Sequence, residues 1–124
     1  MRHADVVSLH MNLSDDNRAY INAARLALMK PGTYLVNCAR GGLIDEGDVA
    51  AALQCGQLAG YGADVVDPEP VVSTNPLLRA PNVVLTPHVG SRTYESVERQ
   101  AIMAVENMLR VLHGQAPHAQ ANTL

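Results

Sequence analysis

The stretch Thr33-Tyr34-Leu35-Val36-Asn37-Cys38-Ala39-Arg40-Gly41-Gly42, running on through Asp45 and Glu46 to Gln54, Gly56 and then Tyr61 to Val66, decides the fold. Residues 33–38 form a short apolar run that reads as a strand, and Arg40-Gly41-Gly42 reads as a turn. Asp45 supplies the side-chain acceptor that a helix amino terminus needs, so a helix is expected over Glu46 to Gln54, with Gly56 as its stop. Residues 61–66 read as the next strand. Strands that are apolar throughout, rather than alternating, and that are joined by a helix are parallel strands covered on both faces.

Outward from this unit the pattern continues. Asp5 to His10 reads as a buried strand start, Ser14-Asp15-Asp16-Asn17 as a cluster that opens a helix, and Asn22 to Met29 as a helix rich in Ala and Leu. Lys30-Pro31-Gly32 ends it, because proline lacks the donor N–H and glycine tolerates the turn. On the other side, Asp67 to Pro81 reads as an irregular loop holding four of the seven prolines. Val83 to Leu85 is a short strand, and Thr93 to His113 a long amphipathic helix capped by Ser91. Val97, Ala101, Val105, Met108, Leu109 and Leu112 recur at helical spacing and are expected to form its core face. The polar tail, 114–124, is expected to fray.

Composition excludes several function classes. With 124 residues, 48% of them hydrophobic and 17% charged, the chain suits one packed domain rather than a disordered segment. A net charge of −3 without clustered Lys or Arg argues against a nucleic-acid or anionic-membrane surface. No apolar run approaches the ~18 residues of a bilayer span, and Met1 to Asp5 does not read as a signal peptide. Two cysteines outside any C-x-x-C pair, Cys38 at a strand end and Cys55 near a helix end, read as packing residues of a cytoplasmic protein. The five histidines include no H-x-x-x-H spacing, so no metal site is expected.

In a parallel sheet, chemistry gathers where loops leave the carboxyl ends of the strands. Those loops carry Arg40, then Glu69 with Asp64 nearby, then His88. A guanidinium matches a substrate carboxylate in two parallel hydrogen bonds. An imidazole can give a proton to a carbonyl oxygen and take it back, and a carboxylate on its other nitrogen orients the ring. The chemistry that needs this trio is the reduction of a 2-oxo acid.

Four local sequences carry a resemblance. They are Asn37 to Asp45; Ala63-Asp64-Val65 with Glu69-Pro70; Asn75-Pro76-Leu77-Leu78; and Pro81-Asn82-Val83 running into Thr86-Pro87-His88-Val89-Gly90-Ser91. In that order and spacing they resemble the D-isomer-specific 2-hydroxyacid dehydrogenases, from Ala4 to about Pro117. The resemblance implies the carboxyl-terminal part of a Rossmann-like α/β domain over 1–113, and hydride transfer between NAD(P)H and a 2-oxo acid in the cytoplasm. It implies Arg40, Glu69 and His88 as catalytic residues. Cofactor contacts would come from His10, Cys38, Ala39, Arg40, Asp64, His88, Gly90 and Ser91, and the enzyme would be a homodimer acting on a small 2-oxo or 2-hydroxy acid. NAD is the expected cofactor, with NADP left open.

Two departures stand out. Met11-Asn12 replaces a segment in which the family usually has a proline, and Arg92 stands where a small residue is common; its side chain is expected in solvent. The chain also has no G-x-G-x-x-G phosphate loop, and Gly60-Tyr61-Gly62 is only a partial match with no helix after it. The expected architecture is therefore a Rossmann-like parallel sheet without its first strands or phosphate loop: a fragment, inactive and prone to self-association by itself. Two other readings remain, an NAD-responsive corepressor-like binding module and a truncated chain without function.

Overall fold

A computed structural model describes residues 1–120, which divide into two compact units, Met1–His88 and a second that begins at Val89. The first unit is an α/β layer. Its sheet holds β1 (Val6–Leu9), β2 (Thr33–Asn37), β3 (Leu58–Ala63) and β4 (Val83–Leu85), all parallel and in the order β1-β2-β3-β4. Helix α1 (Ala23–Leu26) connects β1 to β2, and α2 (Glu46–Gln54) connects β2 to β3. This is the expected partial Rossmann-like arrangement, and every carboxyl-terminal strand end lies on one edge.

The local causes are visible. The Asp45 side chain accepts from the Asp48 N–H at 2.9 Å and so caps α2, while Gly56, at φ +76°, ends it in the left-handed conformation. Val49, Ala50, Ala52 and Leu53 turn the buried side of α2 onto β3. The core also takes in Leu9, Ile21, Leu35, Leu58 and Tyr61, so the one large ring in it belongs to tyrosine.

Several expectations are corrected. β3 runs three residues earlier than the 61–66 reading, so it takes in Gly60 as well as Tyr61 and Gly62, and residues 64–66 follow it. The predicted helix over 22–29 is a single turn, Ala23–Leu26, with Asn22 as its cap. The Ser14–Asn17 cluster makes a separate 3-10 turn instead of opening that helix, and a further 3-10 turn, Pro76–Arg79, interrupts the proline loop. Within this unit the helices cover one face of the sheet. On the other face Val6, Tyr34 and Val84 are 58%, 54% and 67% exposed, because both helices of this unit pack together on the same side. Cys38 and Cys55 are exposed rather than packed.

The second unit is built on α3 (Tyr94–Leu112). Its cap is Thr93, whose hydroxyl accepts from the Ser96 N–H at 3.1 Å, and not Ser91. No residue of α3 is buried, so the face built on Val97, Ala101, Val105, Met108, Leu109 and Leu112 is not a core face. The following segment is tied back rather than frayed over its first residues. Arg110 Nε donates to the Ala116 carbonyl at 2.7 Å, and the His118 N–H to Asn107 Oδ1 at 2.7 Å. The rest of the tail expected to fray, from 121 on, lies outside the described residues.

Candidate active site at the carboxyl edge of the sheet

Each candidate side chain lies at or just beyond the end of a strand. Asn37, the last residue of β2, is fully buried, and its amide shapes the turn after it: Oδ1 accepts from the Ala39 N–H at 3.1 Å and Nδ2 donates to the Arg40 carbonyl at 2.9 Å. The Arg40 guanidinium donates through Nη1 to the Ala39 carbonyl at 2.7 Å and stays exposed. Asp64 follows β3 and is buried, with Oδ1 accepting from the Thr86 hydroxyl at 2.5 Å. That bond joins the ends of β3 and β4 just before His88.

His88 has φ +53°, a left-handed conformation that a residue with a Cβ seldom adopts and that gathers at functional sites. Its Nδ1 lies 2.9 Å from Glu69 Oε2, while Glu69 Oε1 accepts from the Val66 N–H at 3.2 Å. The hydrogen bond to His88 is the main cause that holds the Glu69 carboxyl below its ordinary range, helped by the Val66 N–H and by the nearby charge of Arg40. A carboxylate can only accept, so Nδ1 is the donor and Nε2 is left for proton exchange. Asp64, Glu69 and His88 line a cleft of about 300 Å³ whose remaining wall is mostly apolar, including Val66, Val71, Leu78 and Leu85.

The trio expected from sequence is thus partly a bonded set: Glu69 and His88 are paired directly, and Arg40 acts on Glu69 through its charge. Of the expected cofactor residues, Cys38, Ala39 and Asp64 stand on this edge. His10 follows β1, where its Nε2 pairs with Ser8 Oγ at 2.8 Å. Gly90 and Ser91 belong to the second unit, where the Ser91 carbonyl accepts from Gln100 Nε2 at 3.3 Å. Arg92 is exposed, as expected. Sequence reasoning missed Asn37 and Thr86. The signal for Asn37 was a single amide closing an otherwise apolar strand.

The depressed Glu69 carboxyl predicts a pH dependence. Because the folded value lies below the ordinary 4.5, Glu69 adds stability above pH 4.5, and that share is lost as pH falls through the lower folded value. Urea midpoints of the chain and of Glu69→Gln are expected to differ most above that pH and to converge in acid. A constant gap at all pH values would contradict the pairing.

Residues 1–90 match the family described as D-isomer specific 2-hydroxyacid dehydrogenase, NAD binding domain. The chain belongs to this family. Among relatives of this chain, the glyoxylate reductase of Thermofilum pendens is 39% identical over 122 residues, which is 98% of this chain and 36% of that protein. A crystal structure of the TT0316 protein from Thermus thermophilus superposes with a TM-score of 0.90 at 45% identity, covering 98% of this chain and 39% of that one. The NAD-complexed D-isomer specific 2-hydroxyacid dehydrogenase of Lactobacillus delbrueckii ssp. bulgaricus gives 0.84 at 32% identity, over 98% and 41%. The chain therefore spans little more than a third of the length of these relatives. Among its described residues no helix is long and apolar enough to cross a membrane, and no group of three or more His, Cys, Asp or Glu is placed to hold a metal.

Proposed function

We propose that this chain carries the catalytic edge of an NAD(P)-dependent D-2-hydroxyacid dehydrogenase. The observation that carries the reading is the His88 Nδ1 to Glu69 Oε2 bond of 2.9 Å at the mouth of the cleft. The residues present fit the nicotinamide end of such a cofactor. Asp64 is a buried carboxylate at a strand end, able to accept from a carboxamide N–H, and the cleft is of small-ligand size. When bound, NAD(P)H supplies the hydride.

The remaining steps belong to the chain. Arg40 pairs with the carboxylate of a 2-oxo acid and so fixes which way its carbonyl points. His88 gives the proton on Nε2 to the carbonyl oxygen as it gains electron density, yielding the 2-hydroxy acid, and takes the proton back in the oxidative direction. Glu69 holds the ring by Nδ1 and stabilises its protonated form. The free state of both cysteines supports a reducing, cytoplasmic setting.

Cofactor-dependent reduction of glyoxylate and hydroxypyruvate tests the reading. It is measured for this chain and for the chain joined to the part of the Thermofilum pendens relative that it does not cover. Turnover is expected in the joined protein. A joined protein that binds NADH and turns over neither acid would overturn the proposal.

A further inference from the structure

One partly buried carboxylate at this edge takes no part in the steps above. Glu46, the first residue of α2, reaches across to the irregular segment that carries Glu69. Its Oε1 accepts from the Asp67 N–H at 3.1 Å and its Oε2 from the Asn75 side-chain amide at 2.6 Å. These two anchors bracket Glu69. Asn75 is itself buried and spends Oδ1 on the Leu77 N–H at 2.9 Å, so its amide is locked with the donor toward Glu46.

We propose that Glu46 is a positioning residue: by holding both ends of the segment from Asp67 to Asn75, it sets where Glu69 stands and hence which nitrogen of His88 carries the proton. Burial raises the Glu46 carboxyl above its ordinary value, against the two hydrogen bonds that lower it. A carboxylate at this place is unfavourable except for what it holds. Another tie on the segment, Arg18 to Asp67 at 2.7 Å, is an ion pair with both side chains about half exposed, a kind that contributes little. Glu46 is therefore the stronger anchor. The inference deepens the reading of His88 and Glu69 as a working pair and rests on it.

The test reads the ring-nitrogen NMR shifts of His88 in the ligand-free chain, at a pH where the imidazole is neutral. The unchanged chain is expected to show the Nδ1–H form, and Glu69→Ala to return the ring toward the Nε2–H form of free imidazole. Glu46→Ala is expected to produce at least half of the Glu69→Ala change. Val49→Ala, a buried truncation in the same helix, is expected to lower the melting temperature and leave the ring shifts alone. If Glu69→Ala moves the shifts and Glu46→Ala does not, the positioning role is overturned and the pair stands. If Glu69→Ala moves nothing, the pair reading falls and takes this one with it. Should Glu46→Ala not fold, Glu46→Gln replaces it. A glutamine has one acceptor oxygen and keeps at most one anchor, so a smaller shift in the same direction is expected and no shift overturns the role.

Discussion

Gly41→Ala is expected to cost about 3 kcal/mol of stability, at the upper end of what an overpacked site costs, and so to lower the melting temperature by roughly 10 °C or more. A Cβ at Gly41 would sit 2.1 Å from the Val66 carbonyl carbon and oxygen and 2.6 Å from the Asp67 nitrogen. All three are backbone atoms, so no rotamer change can make room. The two loops that carry Arg40 and Glu69 would have to part. Gly42 offers a graded comparison: its Cβ would meet Arg18 Nη1 at 2.9 Å, Leu13 Cδ2 at 3.0 Å and Asp67 Oδ2 at 3.1 Å, all far ends of side chains that can shift. At Gly62, inside β3, a Cβ meets nothing within 4 Å, so Gly62→Ala is expected to be neutral or slightly stabilising. Thermal unfolding of the three variants should rank them Gly41, Gly42, Gly62 from most to least damaging. Equal midpoints would show that the loops do not depend on this close approach.

That contact also separates what could be read in the letters from what could not. The β2–α2 unit was legible because its signals are local: Asp45 caps, Gly56 stops, and the apolar run before them pairs in a sheet. β3 slipped by three residues because Gly60 has the composition of a turn and hid the start at Leu58, while the apolar Val65 and Val66 carried the reading past Ala63. In the sheet, the Tyr34 ring lies over Gly60, within 3.1 Å of where its Cβ would be, so a cross-strand contact outweighs local preference. The apolar stripe of α3 announced a need for burial, but periodicity names no partner, and within this chain the stripe is exposed. The placement of Arg40, Glu69 and His88 on one edge was legible through topology, since parallel strands deliver every following loop to one edge. Glu46 and Gly41 were not, because each meets the backbone of a distant segment, at Asp67 and Val66, and Asn75 was not, because its amide donates to a carboxylate 29 residues earlier in the chain. The distinction is physical: local caps and stops leave a signature, whereas anchors between loops appear only after the chain has folded.

His88→Asn is expected to lower kcat in the joined protein by about 10²–10⁴, the usual contribution of a positioned acid–base group. This corresponds to about 3–5 kcal/mol of barrier. Asparagine is the informative replacement. It tolerates the left-handed backbone at φ +53° better than other residues with a Cβ, and its amide can still donate to Glu69, so the fold and the loop should survive. It cannot carry a proton to a carbonyl oxygen at neutral pH. A β-branched residue would instead add strain at that φ and confuse a folding defect with a chemical one. If, as proposed, Arg40 rather than His88 pairs with the substrate carboxylate, KM for the 2-oxo acid should change little in His88→Asn and rise in Arg40→Lys, whose ammonium cannot form the paired hydrogen bonds. The two variants therefore split the site into a chemical and a binding half. If His88→Asn raised KM and spared kcat, the imidazole would be a binding group, and the proton would have to come from elsewhere on this edge.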